Sequence, residues 1–211
     1  VVERVASLDR SQRRLLHLVA IAQPIARRLV EAAVDSRPAV DRLVDQGLII
    51  EVPGDEPGGP RLRVAHPLFA EAVRDDADRS EVAATAAMCL RASGVDADRL
   101  AAVLLLRGTR TPPTASELAW AARRVYATGD LTTSVGIAGE AEAGDLTHAE
   151  RFATMLTAAN AQSTLGRLDD ADERFALAER LARAPEELVL LAGHRGEHLA
   201  FRRFAVAAAV A

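Results

Sequence analysis

The side chains with the widest chemical reach in this chain are a histidine set at a strand-to-helix junction and two runs of carboxylates. His66 follows an extended run and precedes Pro67, where the amphipathic helical pattern Leu68-Phe69-Ala70-Glu71-Ala72-Val73 begins. An imidazole N–H there, together with the unsatisfied amides of a helix start, favours an anion such as a phosphate. The competing readings of His66 are a cap on its own helix and a pair with a carboxylate. Asp75-Asp-Ala-Asp78 and Asp169-Asp-Ala-Asp172-Glu173 lack the ligand spacing of a calcium loop, and acidic residues are favoured at helix N-termini by the macrodipole. They are expected to be solvated caps. His17 and His148 lie in helical patterns without partner spacing, and there is no G-x-x-x-x-G-K-[ST], G-x-G-x-x-G or G-x-S-x-G motif.

The elements that must carry these residues can be read from punctuation and periodicity. Asp9-Arg-Ser-Gln12 is a capping box, and the stripe Leu15, Leu16, Val19 and Ala20 predicts a helix over about 9–21. Pro24 suits the first turn of a second helix, with Ile25, Leu29, Ala32 and Ala33 on one face. Ser36 caps a third helix through Pro38, Val40, Leu43 and Val44, and Gly47 stops it. Extended runs at 48–52 and 61–65 flank the turn-rich tip Pro53–Pro60, and the second run feeds the helix after His66. Three helices followed by a two-stranded wing is the order of a winged helix.

Beyond residue 76 the pattern is helical alone, with candidate spans 79–93, 97–107, 114–128, 131–143, 147–165, 168–184 and 186–210, separated by Gly94, Gly108 with Pro112-Pro113, Gly129-Asp130, Gly144-Asp145, Gly166 and Pro185. Gly166-Arg-Leu-Asp-Asp-Ala171 with Phe175 and Ala178 resembles the second helix of a tetratricopeptide unit. Its first helix would pack through Met155, Ala158 and Ala159. Ser134, Ala138 and Ala141, preceded by Leu118, Ala121 and Ala122, align as a weaker earlier copy. Small residues there let paired helices approach closely and stack into an arm.

Val64-Ala65-His66-Pro67-Leu68-Phe69 with Glu71-Ala72-Val73 resembles the His-Pro-Leu-x-x-Glu-Ala-Val element of large bacterial LuxR-type transcriptional regulators of the STAND class. The resemblance implies a mainly α fold, with a winged helix at 1–75, a helical connector at 76–112 and tetratricopeptide-like repeats of an α-solenoid at 113–211. It implies that His66 senses the β-phosphate of ADP held by an ATPase module upstream in the same chain. ATP or ADP would be the cofactor of the parent protein, with none bound by these residues alone. An inducer or regulatory protein would sit on the repeats, DNA would be bound only through a separate C-terminal domain, and release of the His66 latch would permit oligomerisation. Val1 and the apolar helical run Phe204–Ala211 accord with an internal piece of such a protein.

Bulk properties agree with a non-catalytic, cytoplasmic signal-relay segment. The 211 residues are 49% hydrophobic, 27% charged and only 3% aromatic, which favours closely packed helices. Residues 1–75 hold 11 arginines and 11 Asp plus Glu, and the helix expected to face DNA carries Arg37 and Arg42 beside Asp41 and Asp45, with Asp55 and Glu56 at the wing tip. Duplex binding requires clustered bases, so this domain is not expected to bind DNA directly. Cys89 is the sole cysteine and reads as a small buried hydrophobe. There is no leader-like segment and no long uncharged apolar run, hence no expected membrane association. His194-Arg-Gly-Glu-His198 has the H-x-x-E-H spacing of inverzincin proteases, which places two imidazoles on one helical face. In a repeat array, with Gly196 weakening the helix and no third ligand downstream, a solvated or inter-repeat polar face is the expected reading and no metal is assigned. Two other functions fit the same elements: a protein–protein scaffold without a nucleotide link, and the same module attached to a nucleotide cyclase or kinase.

Overall fold

A computed structural model describes residues 2–34, 37–54, 59–73, 79–107 and 109–210, with side chains described except at 2–3, 34, 79 and 201–210. The proposed Ser36 cap, the wing-tip Asp55 and Glu56, the Asp75–Asp78 cluster and Gly108 lie outside the described residues. The chain is mainly helical with a small three-stranded sheet, and divides into two compact units, Val1–Pro112 and Pro113–Ala211. No described helix is long and apolar enough to cross a membrane.

In the first unit, α1 (Val2–Ala6) precedes α2 (Arg10–Ala22), which opens on the expected capping box: Asp9 Oδ1 accepts the Gln12 N–H at 2.8 Å, and Gln12 Oε1 accepts the Asp9 N–H at 3.1 Å. Leu15, Leu16 and Val19 are buried along its apolar stripe. α3 (Arg27–Val34) and α4 (Arg37–Asp45) follow. Gly47 closes α4 at φ +63°: its N–H donates to Val44 C=O and the Leu48 N–H to Leu43 C=O, a pairing that needs the left-handed backbone glycine adopts without a Cβ penalty. β2 (Ile49–Val52) and β3 (Arg61–Val64) then pair antiparallel, Ile49 opposite Val64 and Val52 opposite Arg61, and β3 runs into α5 (Pro67–Ala72). α6 (Arg79–Ala92) and α7 (Asp96–Leu106), in the 76–112 stretch, contribute Val82, Ala86, Leu90, Ala102 and Leu106 to the same core as Leu15, Leu43, Ile49, Leu62 and Phe69.

One element differs from expectation. Ile25 and Ala26, assigned to the first turn of a helix behind Pro24, instead form a short strand, β1, on the far edge of β3, so the sheet order is β1-β3-β2. Backbone groups at the free edge of β3 would otherwise be unpaired in a buried setting, and the segment satisfies them. Ile25 pairs with Leu62 and Ala26 with Arg61, Gln23 Oε1 accepts the Val64 N–H at 2.9 Å, and the Arg27 N–H donates to Pro60 C=O at 2.9 Å. Both strand residues are buried.

The second unit begins with two helical hairpins, α8 (Ala115–Ala127) with α9 (Leu131–Glu142) and α10 (His148–Thr164) with α11 (Leu168–Leu181), followed by α12 (Pro185–Val210). Thr114 with Glu117 and Thr147 with Glu150 form capping boxes at the first helix of each hairpin. Leu118, Ala121 and Ala122 in α8 and Met155, Ala158 and Ala159 in α10 are buried, as are Ser134, Ala138 and Ala141 in α9 and Ala171, Phe175 and Ala178 in α11. Corresponding buried positions are 37 residues apart, whereas the two cap threonines are 33 apart, because α10 has 17 residues to the 13 of α8. The extra turn of α10 lies at its N-terminal end. Ser134 Oγ donates to Ala122 C=O at 2.9 Å inside the first hairpin, which satisfies a buried hydroxyl where α8 and α9 meet.

Gly144, just after α9, lies so close to the start of α8 that a Cβ there would sit 2.7 Å from Ala115 Cβ. Overpacking of this kind costs about 1–3 kcal/mol. Gly144→Ala should therefore lower the urea midpoint of the chain, and Ala115→Gly in the same chain should recover most of the packing loss, apart from glycine's own helix penalty. Equal midpoints for wild type and Gly144→Ala would show that the two helices do not depend on this approach.

Candidate functional site

Strand β3 ends two residues before His66, and α5 begins one residue after it, so the hairpin and the helix together set where the imidazole stands. His66 is the N-cap of α5 with extended backbone, and Pro67 occupies the first helical position, which needs no N–H. The His66 Nδ1 accepts the Leu68 N–H at 3.2 Å, and the His66 C=O accepts the Phe69 N–H at 3.0 Å. The early amides of α5 are thus taken up locally, and the expected contribution of unsatisfied helix-start N–H groups to anion binding is absent at Leu68 and Phe69. With Nδ1 accepting, the neutral ring carries its proton on Nε2, and the residue is exposed. Beneath it the buried Phe69 ring meets the imidazole edge-on with centroids 6.5 Å apart, and the Arg4 guanidinium lies 5.8 Å from the centre of the same ring.

Toward the other end of the hairpin, where the Arg27 N–H donates to Pro60 C=O, charge is balanced by a hub at Arg27. Its guanidinium contacts Glu31 at 2.7 Å and also pairs with Asp41 of α4 and Glu51 of β2, joining three elements. The hydrogen bonds it donates, to Glu31 first and then to Asp41 and Glu51, raise its pKa beyond the already high guanidinium value. Asp41 on α4 and Glu51 on β2 are thus both neutralised by Arg27. Cys89 is buried and its thiol donates to Leu29 C=O at 3.6 Å; burial pushes its pKa up, the opposite of an activated thiolate.

His198 is placed differently from an open zinc ligand. It is 1% exposed, with Nδ1 2.9 Å from Ser163 Oγ on α10, Nε2 2.9 Å from Asp172 Oδ1 on α11, and its ring 5.1 Å from that of Phe175. Both ring nitrogens are engaged, so His198 shares no open coordination position with His194, which lies beside Glu197 at 4.0 Å. Among the described residues no group of His, Cys, Asp and Glu side chains could hold a metal. A Ser–His–Asp chain also invites a nucleophilic reading, but Ser163 is buried and sits within α10, whose backbone N–H groups are spent on the helix and offer no oxyanion pocket. The arrangement is a fastening of α12 to the second hairpin. His148, at the start of α10, supplies another: its Nε2 is 3.2 Å from Glu187 Oε1, while Glu187 Oε2 accepts the N–H groups of Arg183 and Ala184. Those amides, and then His148, hold the Glu187 carboxyl below its ordinary pKa.

Sequence reasoning missed both pairings. Asp172 was assigned to a solvated acidic cap and His148 to a helix without a partner. A usable signal was present for His198: shifted back by the 37-residue repeat it takes the place of the buried Ala161, so a polar ring there must find partners inside.

No protein-family model matches this chain, and no curated protein matches it. Among solved structures it is similar to a signal-transduction ATPase with numerous domains bearing a tetratricopeptide repeat sensor, from Pyrococcus horikoshii, with 15% identity and a TM-score of 0.47. That match covers 94% of this chain, which spans 36% of the length of that protein.

Burial, with a smaller push from Arg195, lowers the pKa of His198, and Asp172, with 43% of its side chain exposed, is too well screened by water to reverse this. The folded state therefore favours the neutral ring, while the unfolded chain takes up a proton near pH 6.5. The contribution of neutral His198 is complete above about pH 6.5 and is lost as pH falls below it. The stability difference between wild type and His198→Gln, from urea titrations, should shrink between pH 7.5 and pH 5.5. A difference that stays constant over that window would mean that the ring does not titrate against its burial.

Proposed function

We propose that this chain is the relay and sensor-arm portion of a nucleotide-switched transcriptional regulator of the LuxR type. In this reading α2–α4 with the β2–β3 hairpin act as a winged helix, α8–α12 as a tetratricopeptide-like receiving arm, and His66 as the contact to the β-phosphate of ADP held by an ATPase module of the parent protein. The observation that carries it is the exposed imidazole directly behind the hairpin, oriented by its Nδ1 bond to Leu68 so that Nε2–H is the available donor. A hydrogen bond from that nitrogen to a phosphate would tie the hairpin unit to the nucleotide and hold the regulator closed; Arg4, on the same Phe69 ring, adds positive charge nearby. An inducer or partner protein on the arm would release this latch, and DNA would be engaged by a domain other than these residues. The relay itself performs no catalysis. A second reading, a protein–protein scaffold without a nucleotide link, is favoured by the fact that His66 already serves its own helix as N-cap.

The two are separated by His66→Asn in the full-length protein. Asparagine retains the N-cap acceptor, while its amide N–H, on a shorter side chain, does not extend to the place of the histidine Nε2–H. A hydrogen bond to a charged group contributes about 1.5–3 kcal/mol, so ADP should dissociate roughly 10- to 100-fold faster with thermal stability nearly unchanged. Unchanged ADP release in His66→Asn would remove the sensor role and leave the scaffold.

A further inference from the structure

The two faces of α10 show what a first helix in this array requires. One side, through Glu150, Thr154, Thr157 and Ala161, is wholly or partly buried; the other, through Phe152, Met155, Leu156, Ala159 and Gln162, is buried throughout. Phe152, Met155, Leu156 and Ala159 of that second side share a cluster with Ala171, Phe175 and Ala178 of α11. In α8 the positions matching this second side, Leu118, Ala119, Ala122 and Val125, are likewise buried. Carried forward by the 37-residue repeat, the first set becomes Glu187, Leu191, His194 and His198 of α12, and these are again wholly or partly buried. The second set becomes Val189, Ala192, Gly193, Gly196 and Leu199, and every one of them is exposed, Val189 to 72% and Leu199 to 50%.

We infer that this face of α12 is a docking surface for one further amphipathic helix with the small–large–small stripe that Ala171, Phe175 and Ala178 present in α11. The occupant's chemistry follows from continuity with the two interfaces of the same register already built in this chain. Gly196 takes the place of Ala122 and Ala159, where small residues admit a helix backbone closely, and a Cβ at Gly193 or Gly196 would meet nothing within 4 Å. Val189 and Leu199 flank this low stretch and supply the apolar contact on either side. The burial pattern supports this surface whether or not His66 reads a nucleotide.

A helix-stabilised, fluorescently labelled peptide with the sequence of α11, Leu168–Leu181, provides the probe, titrated into the full chain. Saturable binding is expected, weakened at least about tenfold by Val189→Glu or Gly196→Glu, both in open space and so compatible with the fold. Phe175→Glu in the peptide should abolish binding, whereas Leu177→Glu, on a position exposed in the parent helix, should not. No saturable binding, or binding indifferent to both α12 substitutions, overturns the inference. So does sedimentation of the chain alone as a dimer that Gly196→Glu dissociates, since a second copy would then hold the face.

Discussion

Close approach of helices through small residues is the constraint on which residues 113–210 depend. Where Ala122, Ala138, Ala158, Ala159, Ala171 and Ala178 meet their neighbours, little side-chain volume separates the backbones, so dispersion contacts are dense and tolerance for added atoms is small. The same tightness leaves no room for water to solvate a stray polar group. Two buried polar side chains there are tied, Ser134 to the Ala122 carbonyl and His198 to Ser163 and Asp172, whereas Thr154 Oγ1 and Gln162 Oε1 are buried without a hydrogen-bond partner among the described residues. Ion pairs join helices at the margins: Arg174 of α11 with Glu142 of α9, and Arg195 of α12 with Glu179 of α11, the latter exposed enough for water to screen it.

In the first unit the comparable element is the central strand β3. It is hydrogen-bonded on both edges and packed into a core shared by helices from α2 to α7, so its end point, and with it His66, is held from several directions. Arg27 reinforces this by binding carboxylates of α3, α4 and β2 with one planar guanidinium, a task suited to its fixed fork of donors. Arg61 on β3 does the same toward Asp98 of α7 at 2.5 Å and the Pro24 carbonyl at 3.0 Å. The proposed switch residue thus stands on a rigid support, a condition for transmitting a change at a phosphate to the rest of a domain.

Much of this was legible in the residues. The capping box read at Asp9 is local, since a side chain three residues away satisfies the helix start whatever the tertiary surroundings; the same box at Thr114 and Thr147 was not read. The later helix boundaries, read from Gly129, Gly166 and Pro185, agree with the structure to within three residues. The Pro24 segment was misread for the complementary reason. Proline at a first turn is compatible with helix, but the unpaired edge of β3, some 35 residues further along the chain, is invisible to a local pattern and won the competition for Ile25 and Ala26.

What the sequence by itself determined is the order and approximate length of the helices from α4 onward, the hairpin between residues 49 and 64, and the set of alanines able to lie in helix contacts, because these follow from neighbours a few positions apart. Only the tertiary structure decided which polar groups meet. His198 is joined to Ser163, 35 residues before it, and His148 to Glu187, 39 residues after it. Whether a histidine faces water or the interior depends on which helix packs over it, and that is settled by the summed burial of the whole array and not by the spacing of its own segment.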